Sequence, residues 1–562
     1  MCNPWSARAM KPRIALALLG LSLASPLAAQ APAAADIQAD RAQAPVIDRD
    51  RTDRVVPTLP GVPRVSIPRP AFNVAASAAA VNLTQIRFAG SSLPLETLEA
   101  ITTAYRGQAL TQDVLKAIVE AVGKVYARSD IAFYSVAIPA QRLEQGVLTV
   151  QVVEGAVKQY SIKGLPDDAP TELVKAHIAR IMRSTPLRKS VLERSLSLMR
   201  DMPGQTVEAS VRQLDAAGSL ALDLTLRRRP FHLGIAIDNN GVSNVTSAFQ
   251  AQATVTANNL LREGDTTKVS SYLPLHPDRY QFYTISHATP IASNGMTATV
   301  TAARLKSRSR NATLGDIDGR ATLAGISLSY PVIRSYKTNL SVSASLDGID
   351  SSNYYLDTRF GDYRSRAIRF GASFSRSTEK TGYAMTAVVS RGLDILDAKA
   401  FTGFTEKDFT KVNVQTVVVN AITKNLIAKL TTNAQYSRDK LPVTERLALG
   451  GSGAGRAFRV GTVTADRGAT GTAELSWTLP LPKSRIKGTS IFAFVDGGLG
   501  RTEARPFYGI AAEKFSLASA GGGVRLQLGK VRLGVEVAVP IDRPGPGYSR
   551  KARLFGSFGY GF

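Results

Sequence analysis

Residues 447–461 read LALGGSGAGRAFRVG and combine the residue types that build phosphate-binding loops and exposed nucleophiles. A phosphate loop needs the spacing G-x-x-x-x-G-K-[ST], because backbone amides surround the phosphates, the lysine reaches them and the hydroxyl holds Mg²⁺. Counted from Gly450, the stretch places Arg456 at the lysine position and Ala457 at the hydroxyl position. The cluster therefore lacks two of the groups that nucleotide binding requires.

Other catalytic arrangements are also missing from the sequence. The dinucleotide fingerprint G-x-G-x-x-G, started at Gly453, meets Phe458 where its third glycine should stand. Ser452 lacks the G-x-S-x-G spacing of a nucleophile elbow. The four histidines have no triad or metal-ligand spacing, and they are His177, His232, His276 and His287. The sequence predicts no enzyme, no cofactor and no metal site.

The N-terminal region has the pattern of a secretory signal peptide. A basic segment, MKPR, precedes the apolar run IALALLGLSLASPLAA, which ends in small residues. We assign residues 1–29 to this signal, and cleavage fits after either Ala29 or Ala31. The signal is complete from Met10, so both Met1 and Met10 fit as the start.

Cysteine and charge content narrow the class of protein. Cys2 is the only cysteine and precedes the apolar run, so an exported chain of this size must depend on extensive burial or on a closed sheet. The net charge is +25, but Lys and Arg are scattered at strand-like intervals and are not clustered with aromatic residues. Together with export, this distribution excludes nucleic acid as the predicted partner.

Residues 30–228 divide into a tether and two similar modules. Residues 30–80 are rich in Ala, Pro, Asp and Arg, which predicts an extended linker, and a short helix fits residues 33–43. Residues 82–156 follow the order β-α-α-β-β by their apolar periodicity, and residues 157–228 repeat that order. The sequence predicts two tandem α+β modules.

Residues 229–562 lose helical periodicity and alternate apolar with polar or small residues. We mark sixteen such segments, starting near 230, 247, 266, 279, 295, 319, 335, 363, 381, 409, 425, 467, 488, 514, 530 and 552. The even number fits a closed antiparallel membrane barrel. The last segment places Phe558, Tyr560 and Phe562 on one face, an aromatic C-terminus that is typical of outer-membrane barrels and that a soluble sandwich leaves unexplained.

The segments LPVTERLALGGSGAGRAFRVG and DRGATGTAELSW resemble the long sixth loop of two-partner-secretion outer-membrane transporters. This is the TpsB family, ShlB/FhaC/HecB-like, which is related to the barrel-assembly protein BamA. Arg456 and Phe458 align with the arginine and aromatic residue of the loop motif V-R-G-[FY]. Gly455 and Ala457 replace its valine and glycine. The loop is expected at 441–466, and further matches are Leu449, Gly450, Gly451, Asp466, Gly468, Glu474 and Leu475.

A second motif, IFAFVDGGLG, resembles the F-x-D-x-G strand of the same family through Phe494, Asp496 and Gly498. The resemblance implies that the loop folds back into the barrel lumen and that Arg456 pairs with Asp496. Alternation then places Phe492 and Phe494 on the lumenal face as well, where the loop is their packing partner. Glycines allow a loop tip to enter a narrow pore, and they are Gly450, Gly451, Gly453 and Gly455.

The two modules resemble POTRA domains. IPAQRLEQGVLTVQVVEGAV carries the pattern that closes the first one, formed by Pro139, Gln141, Gly146, Glu154 and Gly155. IAIDNNGVSN and NNLLREGD resemble the first barrel hairpin through Asp238, Asn239, Gly241, Gly264 and Asp265. A client would add an extended segment to a POTRA sheet edge. The candidate region is the helix around Thr111 to Arg128 and its neighbouring strand.

The resemblance implies an outer-membrane translocase with its POTRA domains in the periplasm. Such a protein recognises an unfolded TpsA-like exoprotein and secretes it through the barrel without ATP. Its other partners would be the barrel-assembly machinery, for its own insertion, and outer-membrane lipid. The alternative is a barrel-assembly insertase of the same fold, against which the two POTRA units and the tether argue. A passive porin leaves the modules unexplained.

Overall fold

The computed structural model describes residues 65–66, 71–76, 79–241, 249–274, 276–311, 315–480 and 488–561. The predicted signal peptide, most of the predicted tether and Phe562 lie outside these ranges. Within them, no helix is both long and apolar enough to cross a bilayer.

Among the described residues, four α-helices and ten short strands precede the barrel. In chain order they are β1 (Val65–Ser66), β2 (Phe72–Val74), β3 (Ala79–Asn82), β4 (Gln85–Ala89), α1 (Leu95–Thr102), β5 (Ala109–Leu110), α2 (Gln112–Arg128), β6 (Tyr134–Ile138), β7 (Val147–Glu154), β8 (Ala156–Lys163), α3 (Glu172–Met182), α4 (Lys189–Asp201), β9 (Gln205–Gln213) and β10 (Ser219–Arg228).

The first module packs α1 and α2 on a sheet of order β2-β6-β7-β4. Thr111 caps α2, since its hydroxyl accepts a hydrogen bond from the backbone N–H of Val114 at 3.2 Å. The apolar side chains of α2 recur at helical spacing and are buried in the core. They include Leu115, Ile118, Val122 and Tyr126.

The second module repeats this arrangement with α3, α4 and a sheet of order β1-β9-β10-β8. It packs against the first module through one apolar and one polar contact. Phe133, just before β6, is buried in the core of the second module. The Asp130 carboxylate accepts hydrogen bonds from the backbone N–H and the hydroxyl of Ser190, at 2.8 and 2.6 Å.

Part of the predicted tether lies on the modules. β1 pairs parallel with β9 and β2 pairs parallel with β6, so each strand extends one module sheet by one edge strand. The segment is extended, as its prolines suggest. Its backbone is nevertheless hydrogen-bonded to the modules, which apolar content alone did not indicate.

Sixteen antiparallel strands form one closed barrel. They are β11 (Phe231–Asp238), β12 (Gln250–Asn258), β13 (Thr266–Pro274), β14 (Tyr280–Pro290), β15 (Thr297–Asn311), β16 (Gly315–Arg334), β17 (Thr338–Tyr355), β18 (Thr358–Ser377), β19 (Thr381–Gly392), β20 (Thr410–Ala421), β21 (Leu426–Ser437), β24 (Arg467–Thr478), β25 (Ser490–Thr502), β26 (Glu513–Leu528), β27 (Val531–Asp542) and β28 (Arg553–Gly561). Two further strands, β22 (Leu447–Leu449) and β23 (Val463–Ala465), form a hairpin that is not part of the barrel sheet. The predicted fold class and strand number are confirmed.

Strand alternation divides the barrel residues between two environments. On β27, Val535, Val537 and Val539 are exposed on the outer face, as the pattern of a membrane barrel predicts. Glu536 lies between them in sequence and points to the opposite side, where it forms an ion pair inside the barrel. The period of two predicted from the sequence therefore places carboxylates and arginines in the lumen.

The second module is docked against one end of the barrel. The Arg194 guanidinium on α4 donates hydrogen bonds to the carbonyl oxygens of Pro331 and Val332, at 2.8 and 3.1 Å. At the end of α4, Asp201 forms an ion pair with Arg334 at 2.6 Å. These bonds fix the POTRA modules at the entrance of the lumen.

The lumenal loop and its anchors

The chain between β21 and β24 folds into the barrel as a hairpin. Its strands β22 and β23 pair antiparallel, with Leu447 opposite Ala465. The hairpin contacts β18 through Glu445 and β27 through Arg456. These strands stand eighth and fifteenth in the barrel order, almost opposite one another, so a segment that touches both lies in the lumen.

At the tip of this loop, the structure brings Arg456 and Asp496 together. The backbone N–H of Arg456 donates to both oxygens of the Asp496 carboxylate, at 3.3 and 3.2 Å. Its Nε lies 3.4 Å from Oδ2 of the same group. The Ser519 hydroxyl also donates to Asp496, whose side chain is fully buried. The carboxylate thus holds the loop backbone as well as the guanidinium.

Two glutamates complete the surroundings of the Arg456 guanidinium. Its Nη1 lies 3.1 Å from Glu536 and its Nη2 lies 3.1 Å from Glu474. Glu474 also binds Arg525 through both carboxylate oxygens, at 2.6 and 2.9 Å. Three carboxylates and two guanidiniums therefore form one lumenal cluster, which we call the tip anchor: Arg456, Glu474, Asp496, Arg525 and Glu536.

Aromatic rings support both arginines of the tip anchor. The Arg456 guanidinium carbon lies 4.0 Å from the centre of the Phe494 ring, and that of Arg525 lies 3.7 Å from the Phe492 ring. Both rings are buried, although they lie on the lumenal face of β25. The cationic groups cover the rings, which explains how two phenylalanines share a strand face with Asp496.

Next to Arg456, the loop tip is closely packed. Phe458 is buried in an apolar cluster that also contains Phe494 and Leu517. Gly455 has a φ of +77°, and a Cβ at this position would overlap the Leu517 side chain. The backbone N–H of Ala457 donates to the Ser519 hydroxyl at 3.3 Å. Valine, the usual residue of the motif at Gly455, therefore does not fit this tip.

The remaining glycines of the two motifs are needed for different reasons, or not at all. Gly450 and Gly451 have φ values of +100° and +85°, in the left-handed region that favours glycine. Gly453 has open space around the position of a Cβ. Gly498 lies on the barrel wall, and a Cβ there would stand 2.8 Å from the Leu449 side chain of the loop. Its lack of a side chain lets the hairpin approach the wall.

The start of the loop is anchored separately, at Glu445. Its fully buried carboxylate binds the Arg369 guanidinium at 2.8 Å and the Lys411 ammonium at 2.9 Å. Arg369 also pairs with Asp347 at 2.6 Å. The Gln435 amide and Lys411 donate to the backbone carbonyl of Glu445, at 3.0 and 2.9 Å.

The end of the loop is anchored at Asp466. Its fully buried carboxylate lies 3.2 Å from Nε of Arg446 and 3.0 Å from Nη2 of Arg505. It also accepts hydrogen bonds from the backbone N–H groups of Leu441 and Glu503, at 3.0 and 2.8 Å. We call the contacts of Glu445 and Asp466 the stem anchor. Both carboxylates have charged and polar partners on several sides.

A cavity of about 650 Å³ borders the tip anchor. Arg456, Arg525 and Glu536 line one part of it, and Asp238 at the end of β11 and Asn240 just beyond it line another. The tip therefore lies beside open lumenal space, whereas Glu445 and Asp466 are enclosed by protein.

The last strand closes the barrel against the first. β28 pairs with β11, with Tyr560 opposite Ile235 and Phe558 opposite Ile237, while Phe562 lies outside the described residues. The backbone pairing of the two strands ends at Asp238 and Ser557. Just beyond it, the Asn239 side chain adds one more bond between the two strands, since its amide donates to the carbonyl of Leu554 at 2.9 Å. Two of the predicted C-terminal aromatics, Phe558 and Tyr560, thus lie at the closing seam.

Several members of these clusters were missed by the sequence analysis. The lumenal position of Glu536 and Arg525 could have been predicted, because strand alternation places both on the face opposite the valines of their strands. Glu445, Arg369 and Lys411 gave none, since their partners are far apart in sequence and no local motif joins them.

Comparisons with known proteins agree with this architecture. The haemolysin secretion/activation protein family ShlB/FhaC/HecB matches residues 219–526, more than half of the chain. The ShlB-type POTRA domain matches residues 81–155. Both matches confirm the family and the POTRA domain that the sequence motifs predicted.

Individual relatives are distant in sequence and similar in fold. An outer membrane transporter CdiB of Dickeya dadantii (strain 3937) is 22% identical over 437 residues, which cover 74% of this chain and 75% of that protein. The heme/hemopexin transporter protein HuxB of Haemophilus influenzae is 21% identical over 485 residues, which cover 79% and 80%. The structure of CdiB from Escherichia coli superposes with a TM-score of 0.72 at 19% identity, covering 87% of this chain and 92% of that one. The chain therefore belongs to the haemolysin secretion/activation protein family ShlB/FhaC/HecB, as an outer-membrane barrel with its POTRA domains in the periplasm.

Proposed function

We propose that this protein is the transporter of a two-partner secretion system. Its POTRA domains recognise an unfolded TpsA-like exoprotein in the periplasm, and the barrel secretes that exoprotein to the surface without ATP. The barrel-assembly machinery inserts the transporter itself, and outer-membrane lipid surrounds its exposed apolar face.

The loop in the lumen is the observation that carries this proposal. Its tip is held to the barrel wall by ion pairs and hydrogen bonds beside a cavity of about 650 Å³. Polar contacts of this kind exchange for contacts with water or with a polar peptide at small net free energy. The tip can therefore leave the wall and let a chain pass while the closed sheet stays intact.

Co-expression with a TpsA-like exoprotein from the same organism tests the proposal. In a host that lacks other transporters of this family, the exoprotein should reach the medium or the cell surface only when the full-length transporter is present. The control is the same host with the exoprotein alone. Retention of the exoprotein in the periplasm, despite a heat-modifiable transporter in the outer membrane, would contradict secretion.

A second measurement addresses the energy source and the insertase alternative. Purified transporter in lipid vesicles should take up denatured exoprotein without any nucleotide. Assembly of an unrelated outer-membrane barrel into the same vesicles should not be accelerated, whereas an insertase would accelerate it.

A further inference from the structure

The outer face of the barrel changes from apolar to basic along β15 and β16. Nearer the second module the outward positions are apolar and exposed, and Val300 of β15 lies opposite Ile326 of β16. Arg304 and Lys306 follow on β15 with the same period of two, and Arg320 follows on β16. All three cationic side chains are exposed. We call Arg304, Lys306 and Arg320 the basic patch.

The docked second module shows which end of the barrel carries this patch. Arg194 of that module donates a hydrogen bond to the carbonyl of Asn294 at 3.2 Å, in the turn just before β15. β15 begins at this periplasmic end and runs away from it, so the basic patch lies toward the extracellular end. Tyr283 of β14 lies opposite Arg304 and is exposed on the same face. Since aromatic residues mark the membrane–water boundary of such barrels, the patch lies at the level of the outer-leaflet headgroups.

Two members of the basic patch face each other across neighbouring strands. Lys306 is directly opposite Arg320 in the register of β15 and β16. The Cβ atoms of directly opposite residues lie about 4.5–5.5 Å apart, and like charges in such a pair destabilise the sheet. Arg304 lies two residues along β15 on the same face, so three positive charges share a small area. A bound anion offsets this repulsion.

The next arginine along β15 is neutralised, in contrast to the basic patch. Arg308 forms an ion pair with Asp318 at 2.7 Å. Among the residues that the structure describes, no member of the basic patch forms an ion pair. Arg320 stacks on Tyr354, with its guanidinium carbon 4.5 Å from the ring centre. This contact orients the guanidinium without using its N–H donors.

We propose that the basic patch binds the phosphate groups of the lipid in the outer leaflet of the outer membrane. A guanidinium binds phosphate through two parallel N–H···O bonds, and the lysine adds a point charge. A lipid reaches the patch without leaving the bilayer, because Val300 and Ile326 of the same strands face its acyl chains. This inference rests on the outer-membrane location and not on the proposed secretion, and it adds a ligand class and a site on the outer surface.

Lipid A, a phosphorylated disaccharide with several acyl chains, is the probe that tests the proposal. It is titrated in neutral detergent micelles into the full-length protein, and the temperature at which the barrel loses its compact electrophoretic mobility is measured. A ligand that binds only the folded state raises this temperature. The apparent affinity for lipid A should be about tenfold higher than for the same lipid without its phosphates. Equal affinities would overturn phosphate binding.

The triple variant Arg304→Gln, Lys306→Gln, Arg320→Gln removes the basic patch. Without lipid A its transition temperature should be close to that of the wild type, because the lost stack on Tyr354 is offset by the lost like-charge pair. Its apparent affinity for lipid A should fall about tenfold. A variant that is merely less stable would start lower and still respond to lipid A as the wild type does, which would overturn the site.

The matched control is Lys158→Gln, Lys163→Gln, Lys175→Gln, which removes the same net charge from exposed positions of the second module. This variant should respond to lipid A as the wild type does. An equal loss of affinity in both triple variants would show a general effect of charge and overturn the site. Inorganic phosphate and poly-glutamate are the competing anions. If either raised the transition temperature of the wild type as much as lipid A, the ligand would not be the lipid.

Discussion

The two anchors of the lumenal loop are built from the same kinds of residue and differ in their surroundings. At the stem, Glu445 and Asp466 are fully buried, and each has two cationic side chains as partners. At the tip, the single guanidinium of Arg456 is shared among three carboxylates beside a cavity. A fully buried carboxylate that loses its cations cannot reach water, whereas Arg456 and Glu536 of the tip, which line the cavity, can.

Because of this difference, we expect the stem anchor to stabilise the folded barrel and the tip anchor to allow the loop to move. The stem ties the hairpin to both sides of the barrel, so its contacts belong to the folded state as a whole. The tip anchor can open while the stem holds both ends of the loop, and it returns to the same place afterwards. We expect substitutions at the stem to lower stability and substitutions at the tip to lower export.

The largest effect is expected for Glu445→Ala. It leaves the buried Arg369 and Lys411 without this carboxylate, and breaking a buried ion pair on one side costs about 3–5 kcal/mol. The temperature at which the barrel loses its compact electrophoretic mobility should fall clearly. Glu406→Ala is the control, because Glu406 pairs with Lys440 in a partly exposed ion pair that contributes little. Equal transition temperatures for the two variants would refute the stem as a stability element.

Arg456→Ala tests the other half of the comparison. Loss of this guanidinium should leave a heat-modifiable barrel in the outer membrane, while export falls by about tenfold, equivalent to ~1.4 kcal/mol. Arg459→Ala removes an exposed arginine from the same loop and should export normally. Normal export by Arg456→Ala would contradict the functional role of the tip anchor.

The sequence predicted the barrel well because a period of two recurs in every strand. Strand alternation predicts on which side of β27 Glu536 lies, but it does not predict which cationic side chain pairs with Glu536 inside the lumen. The Arg456 and Asp496 pairing came from resemblance to a family motif. The geometry adds that the backbone N–H of Arg456 is held as closely as its guanidinium.

The stem anchor could not be predicted, for a physical reason. Glu445 meets Arg369 and Lys411 only after the sheet has closed, so no spacing along the chain encodes the contact. Likewise, the segment at 71–76 looked like a free tether because its binding uses backbone groups, which composition does not report.

Gly455→Val tests how closely the tip is fitted. It introduces the usual residue of the family motif at a φ of +77°, where a β-branched side chain is strained and overlaps Leu517. Strain and overpacking destabilise the docked tip but leave every charged member of the tip anchor in place, so export should fall several-fold, less than for Arg456→Ala, with the barrel intact. Gly453→Val is the matched control, because open space surrounds that position. Equal export by both valine variants would show that the tip adapts freely.

The smallest effect is expected for Ser519→Ala. The substitution removes the hydroxyl that donates to Asp496 and accepts from the backbone N–H of Ala457, but it keeps every charged member of the tip anchor. A hydrogen bond to a charged group contributes about 1.5–3 kcal/mol, but the backbone N–H and the guanidinium of Arg456 still serve the Asp496 carboxylate, so export should fall only about two- to fivefold. Ser516→Ala on the same strand removes an exposed hydroxyl that donates to Asp542 and not to the tip anchor, so export should stay unchanged. A loss as large as that of Arg456→Ala would mean that the Asp496 hydrogen bonds, and not the guanidinium, hold the tip in place.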